Sequence, residues 1–349
     1  WDEMYIYPML TLRRPEYTRD LLKYRYHRLA AARHAAFKAG YRGAMFPWQS
    51  GSSGREETPT ELFNPINQQW MPDNSHRQRH VSLAIAYSVL RYFEATDDVT
   101  FMADYGAEML VEICRFFVSL TQFMEESGRY EIHGVMGPDE YHDGYPDTPG
   151  SGLRNNAYTN VLLSWVLQKT TEVLDRLTGL DDPISEWRDV FDEETADWKR
   201  ISKNLKVPFM NVCPEGFESE ACKIIAQFEG YEDLLELDWE HYRKVYGNIG
   251  RLDLILQSEG DATNRYKLSK QADVLMLFYL FSKDELQQIL DDLGYGFNQS
   301  QFSTTVDYYL ARTSHGSTLS RLVHGWVAAR VRATRNDRQP SDTPAPASG

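Results

Sequence analysis

Two acids, Asp139 and Glu140, sit in the segment Gly137-Pro138-Asp139-Glu140-Tyr141-His142-Asp143, which precedes Asn155-Asn156-Ala157-Tyr158-Thr159-Asn160 and an apolar helical stretch. Carboxyl groups in an irregular loop that faces a helix start are placed for general acid work, and the substrate this suggests is a sugar. Gly137-Pro138 reads as a turn, while Gly144, Pro146, Pro149, Gly150 and Gly152 keep the following chain irregular. Asn155 or Asn156 can cap the helix that carries Val161 to Leu174. Taken alone, an Asp-Glu pair is more often a solvated loop feature, so the rest of the chain has to decide.

A second candidate cluster is His76-Arg77-Gln78-Arg79-His80, where the spacing puts two imidazoles at i and i+4 on one helical face, as in some zinc sites. No nearby Cys or Glu completes a ligand set, so hydrogen-bonded histidines are expected and no metal.

Composition limits what else the chain can do. The 349 residues carry a formal charge of -14, which argues against nucleic acid or an anionic membrane as the main partner. Eight Trp and 21 Tyr exceed what a core alone needs, and aromatics with polar tips suit sugar stacking. The longest apolar stretch, Ala272 to Phe281, is about half of the ~20 residues that span a bilayer. Cys114, Cys213 and Cys222 form an odd set in unrelated contexts, not a disulfide framework, so a reducing, cytoplasmic setting is the expectation. An opening on Trp1-Asp2-Glu3 with no initiator Met reads as a segment of something longer.

Helical periodicity dominates the elements that must position these residues. It predicts helices over Tyr17–Lys38, His76–Glu94, Val99–Glu126, Asn156–Leu177, Ile184–Asn204, Leu234–Val245, Leu268–Phe281, Ser282–Leu293 and Leu319–Val331, with one clear strand at Tyr130–His133. Recurring helical hairpins with no fixed repeat suit an all-α toroid, with long loops at 42–72, 133–155, 208–230 and 312–317 converging on a central pocket. Residues 1–334 form one such domain, and the Pro- and Ser-rich tail 335–349 is expected to be a disordered linker.

Taken together, Trp1-Asp2-Glu3 with Tyr7-Pro8, Gly43-Ala44-Met45-Phe46-Pro47-Trp48-Gln49-Ser50, the 137–143 loop, Asn155 to Asn160, Lys270-Gln271-Ala272-Asp273-Val274 and His315-Gly316-Ser317-Thr318-Leu319-Ser320 resemble glycoside hydrolase family 65. The resemblance implies an (α/α)6 barrel and an inverting phosphorylase of α-glucosides such as maltose, trehalose or kojibiose, with some hydrolases in the family. Glu140 corresponds to its general acid. Trp1, Asp2, Lys270 and Gln271 correspond to residues that hold the transferred glucose, Trp48 (with Glu56 or Glu57) to a further wall of the pocket, and His315, Gly316, Ser317 and Thr318 to the phosphate site. It also implies a homodimer, inorganic phosphate as co-substrate and no further cofactor.

The chemistry is consistent with this. An inverting hydrolase needs a second carboxylate roughly 6.5 to 9.5 Å from the acid to activate water. Phosphate, mostly dianionic near neutral pH, needs no base. The 312–320 segment is rich in hydroxyls and backbone N–H groups at a helix start and has no carboxylate, a composition that suits an anion. Ordinary N-capping is the simpler account of the same residues. A hydrolase using one of Glu215, Glu218, Glu220 or Glu229 as base is the nearest alternative, and a non-catalytic sugar-binding domain is another. Linkage and acceptor stay open at this level.

Overall fold

A computed structural model describes residues 1–178, 192–214 and 219–336, with only the backbone for 332–336. The first half contains α1 (Glu3–Arg13), α2 (Pro15–Tyr26), α3 (Leu29–Lys38), the hairpin β1 (Glu61–Asn64) and β2 (Gln69–Pro72), and α4 (His80–Thr96). There follow α5 (Val99–Phe101), α6 (Ala107–Leu120), β3 (Gln122–Met124), β4 (Arg129–Glu131), β5 (His133–Val135), β6 (Leu153–Arg154) and α7 (Ala157–Thr178). The second half holds α8 (Asp192–Ser202), β7 (Phe209–Asn211), β8 (Lys223–Ile225), α9 (Trp239–Tyr246), α10 (Leu252–Ser258), α11 (Asp273–Leu280), α12 (Lys283–Asp292), α13 (Gln299–Leu310) and α14 (Thr318–Asn336). The strands form four separate antiparallel pairs at the loop ends.

The architecture is the all-α barrel expected from the sequence. Helix α4 is buried on every face from His80 to Leu90, and α7 is buried continuously from Ala157 to Leu167. A helix apolar all round must lie inside a core. These two helices pack on each other, α1 packs on α4, and α11 packs on α7 and α14. Tyr5 of α1 meets Tyr279 of α11 at 5.2 Å and donates to Met276 Sδ, so the inner helices close on one another. Amphipathic α2, α6, α8 and α12 lie outside them.

Several expected boundaries move. The predicted helix 17–38 starts earlier, at Pro15, and breaks between Tyr26 and Leu29. The predicted helix 99–126 ends at Leu120, because Thr121 turns extended and Phe123 pairs across a hairpin with Tyr130. The predicted strand 130–133 is divided between β4 and β5. Helices α1, α10 and α13 were missed, although Asn298 and Gln301 form a capping box that marks the start of α13. Part of the predicted helix 184–204 and most of the 335–349 tail lie outside the described residues, while α14 carries helix through Asn336.

The cysteine expectation needs correction. Cys213 and Cys222 are disulfide-bonded, with Cα atoms 5.2 Å apart, because the antiparallel β7–β8 pair brings their ends together. Only Cys114 is a free, buried thiol. Cysteine count therefore gives no argument for a reducing compartment. Among the described residues no helix is long and apolar enough to cross a membrane.

Candidate active site

Glu140 occupies a left-handed backbone conformation, φ 66°. For a residue with a Cβ this is disfavoured and persists where surrounding contacts enforce it. Those contacts come from the start of α11. Lys270 Nζ lies 2.7 Å from Glu140 Oε2, and Gln271 Nε2 donates both to Glu140 Oε1 at 3.1 Å and to the Pro138 carbonyl at 2.6 Å. The neighbouring Asp139 turns the other way and is buried, its Oδ1 accepting from the Lys270 backbone N–H at 2.9 Å.

Beneath this loop is a buried polar layer. The Asp139 N–H donates to Asp273, and Asn156 Nδ2 donates to the other oxygen of Asp273 at 2.6 Å. Burial, reinforced by the Asp139 carboxylate, raises the Asp273 carboxyl well above the usual range. His142 Nδ1 is paired with Asp139, and its Nε2 donates to the Tyr266 carbonyl at 3.0 Å. Asn156 also accepts from the Thr159 N–H at 3.0 Å, so it is the helix cap anticipated for α7, whereas Asn155 is left-handed at φ 50° and reaches Glu229 instead.

The 312–320 segment packs directly on the same residues. Ser317 Oγ lies 3.4 Å from Gln271 Oε1 and also accepts from the Ser320 N–H, which makes it the cap of α14. A Cβ on Gly316 would come within 2.4 Å of the Gly250 carbonyl and 2.9 Å of Lys270 Cγ, so only glycine permits this approach. His315 is left-handed at φ 54°, its Nδ1 3.1 Å from Ser320 Oγ, and burial lowers its pKa. His324, on α14, accepts from the Ala272 N–H through Nε2 and donates from Nδ1 to the Ser320 carbonyl. Burial pushes its pKa down to about 3, which keeps it neutral and able to accept. Sequence reasoning missed His324; the i+4 spacing from Ser320 within the predicted last helix was its only signal.

Glu140, Lys270, Trp48 and Trp70 line one cavity of about 790 Å³, within the size range of small-molecule sites. Trp48 is held by Glu56, which accepts its backbone N–H at 3.1 Å. Trp1 does not line this cavity. Its ring, the Trp48 ring and the Tyr158 ring each meet His80 edge-on at 5.6 Å. Asp2 is exposed at the start of α1 and makes no capping hydrogen bond there.

The histidine pair does not share a helix face, correcting the sequence expectation: His76 lies in a 3-10 turn, Ser75–Arg77, and His80 begins α4. Burial lowers the His80 pKa strongly, and Nε2 contacts Gln78 Oε1. Of the hydrolytic base candidates, Glu229 is tied to Asn155 and Lys206 and is not among the cavity's lining residues, while Glu215 and Glu218 lie outside the described residues.

The profile of the glycosyl hydrolase family 65 central catalytic domain matches residues 1–340. This chain belongs to glycosyl hydrolase family 65. It is 49% identical over 337 residues to an uncharacterized glycosyl hydrolase of Mycobacterium tuberculosis, covering 95% of this chain and 24% of that protein. A trehalose 6-phosphate phosphorylase of Lactococcus lactis is 38% identical over 95% of this chain and 40% of its own length, and a kojibiose phosphorylase of Thermoanaerobacter brockii 33% identical over 97% and 40%. A human-microbiome protein proposed to be a kojibiose phosphorylase has a solved structure that aligns with a TM-score of 0.72 over 96% of this chain and 43% of that one, at 24% identity. The family 65 chain described here thus spans about a quarter to two fifths of the length of these curated relatives.

Proposed function

We propose that this domain is the catalytic part of an inverting glycoside phosphorylase, which cleaves an α-linked glucoside with inorganic phosphate to give β-glucose 1-phosphate and a free sugar. Glu140 is the general acid. The observation that carries this reading is the Lys270–Glu140 contact at 2.7 Å, made by a lysine that also packs against Gly316 of the carboxylate-free, hydroxyl-rich segment. One cation thereby connects the proton donor with a place for an anion.

Protonation of the glycosidic oxygen by Glu140 lowers the leaving-group barrier, typically by a factor of ~10² to 10⁴. Phosphate, held by His315, Gly316, Ser317 and Thr318 at the start of α14, attacks from the opposite face, so the anomeric configuration inverts. Lys270 and Gln271 serve both partners, and Trp48 forms part of the glucose side; the family resemblance adds Trp1 and Asp2, although neither lines the cavity that contains Glu140. The hydrolytic reading gains little from the cavity, whose other carboxylates are already engaged. Asp143 accepts from Asn74 and Asn264, Asp253 from Arg251, Asp261 from Arg265 and Tyr266, and Asp73 from the Ser75 N–H.

The decisive assay incubates α-linked glucose disaccharides with the protein, with and without phosphate, and reads the product anomer by NMR. Phosphate-dependent β-glucose 1-phosphate is expected. Free glucose formed at the same rate without phosphate would identify a hydrolase.

A further inference from the structure

We propose that Ser320 is a positioning residue that fixes the tautomer of His315, so that Nε2 presents a lone pair and the anion site takes hydrogen phosphate, which carries a P–OH proton, in preference to sulfate, which carries none; the inference rests on the phosphorylase reading above. Ser320 is fully buried, and its polar groups are committed to the elements of that site. Its N–H donates to Ser317 Oγ at 3.1 Å and its carbonyl accepts from His324 Nδ1 at 2.8 Å. Its Oγ lies 3.1 Å from His315 Nδ1 and 3.3 Å from the Lys270 carbonyl oxygen. One hydroxyl thus joins His315 to the residue that contacts Glu140.

Counting protons settles which ring nitrogen donates. A serine hydroxyl has one proton, and a backbone carbonyl can only accept. The Ser320 proton therefore goes to the Lys270 carbonyl, and the bond to Ser320 Oγ must come from His315 Nδ1–H. The partner of one imidazole nitrogen fixes the state of the other. Burial, and after it the charge of Arg321, lowers the His315 pKa, so the ring is neutral and Nε2 is bare. The ring meets His324 edge-on at 5.0 Å, and its backbone is held left-handed next to Gly316, which is pressed against the Gly250 carbonyl. Among the described residues Nε2 has no hydrogen-bond partner, and the side chain is half-buried.

The other groups assigned to the anion are donors: the Ser317 and Thr318 hydroxyls, the backbone N–H groups at the start of α14 and the Lys270 ammonium. Donors serve any tetrahedral dianion. A bare nitrogen does not, because it needs a proton from the ligand. Hydrogen phosphate, the main species near neutral pH, has one to give. Sulfate would set an oxygen lone pair against a nitrogen lone pair, and a site built around one hydroxyl rejects the analogue that lacks it because its own polar group is left unpaired. Holding the P–OH on His315 also leaves the unprotonated oxygens free, one of which must be the nucleophile.

The test follows β-glucose 1-phosphate formation near neutral pH and constant ionic strength, with sulfate and arsenate as competitors of phosphate. Arsenate matches phosphate in shape and keeps one hydroxyl. In the parent, arsenate is expected to compete with an inhibition constant within about tenfold of the phosphate KM, and sulfate with one at least about tenfold weaker than that of arsenate. Ser320→Ala removes the acceptor of Nδ1–H; it is expected to raise the phosphate KM at least about tenfold, to leave the disaccharide KM within about twofold and to bring the sulfate and arsenate constants together. Ser320→Thr, which keeps the hydroxyl, is expected to restore the gap. A merely structural role would lower stability without moving the sulfate-to-arsenate ratio. Sulfate binding the parent as tightly as arsenate, or a ratio unchanged in Ser320→Ala, would overturn the inference and leave the phosphorylase reading standing. If Ser320→Ala does not fold, the comparison in the parent still decides. Absence of any phosphate-dependent product from the parent would overturn both.

Discussion

Lys270 Nζ sits 2.7 Å from Glu140 Oε2, and the Lys270 backbone N–H is held by Asp139 at 2.9 Å, so the lysine and the loop acids fix one another. Gln271 Nε2 donates to the other Glu140 oxygen at 3.1 Å, so the carboxyl group is fixed where it lines the cavity.

Glu140→Gln should therefore lower turnover by roughly 10² to 10⁴ while leaving the melting temperature and disaccharide affinity close to those of the parent. Glutamine keeps the size and can still contact Gln271, but cannot donate a proton to the leaving oxygen. Steady-state kinetics beside calorimetric melting distinguishes this from misfolding, and near-normal turnover would remove Glu140 from the role.

For the anion site, Ser317→Ala combined with Thr318→Ala should raise the apparent KM for phosphate much more than that for the disaccharide. Ser317 also caps α14 by accepting from Ser320. Loss of an N-cap costs about 1 kcal/mol, so a small drop in stability should accompany the kinetic change. An unchanged phosphate KM would limit these residues to capping.

Gly137→Ala addresses the packing under the loop. A Cβ there would come within 1.9 Å of Asp273 Oδ2 and 2.5 Å of Asn156 Nδ2, two groups that cannot move without breaking the layer that positions Glu140. Overpacking of this kind costs typically 1 to 3 kcal/mol, at about 2–4 °C per kcal/mol for larger domains. A melting temperature lowered by several degrees, with activity lost in parallel, is the expected outcome of a thermal scan and assay; an unshifted melting temperature would contradict it.

The pH dependence of stability has a separate source at Glu131. Burial alone would raise its pKa, but hydrogen bonds from Lys206, His133, Asn155 and Ser127 outweigh this and hold it down at about 2. Its unfolded value is about 4.3, so the folded state favours the anion and the stabilisation is complete above that pH. It is lost progressively as pH falls from about 4.3 toward 2. Glu131→Gln should be less stable than the parent at pH 7, and urea-denaturation midpoints should show the gap narrowing across that acidic window. A gap that stays constant with pH would mean that the effect is packing.

The helical class and the irregular loop that carries Glu140 were legible because both rest on local patterns. Apolar periodicity marks α4 and α7, and the turn residues around Asp139 mark a loop whatever surrounds it. The strand pairs were less visible, since two- to four-residue strands such as β5 and β6 carry almost no periodic signal and depend on partners distant in the chain. The failed zinc spacing at His76 and His80 has the same origin: an i, i+4 relation holds only if both residues lie in one helix, and here the helix begins at the second.

The sequence by itself determined which groups are available: a carboxyl pair in a Gly-Pro loop, hydroxyls and backbone N–H groups at a helix start and abundant aromatic side chains. Tertiary structure decided how they are used. It bent Glu140 into a left-handed conformation toward Lys270, buried Asp139 with His142, paired Cys213 with Cys222 and turned His80 from a ligand candidate into the contact shared by Trp1, Trp48 and Tyr158. The physical reason is range. Propensity and capping act over a few residues, whereas ion pairs, burial and disulfide geometry depend on which distant segments the packed helices bring together.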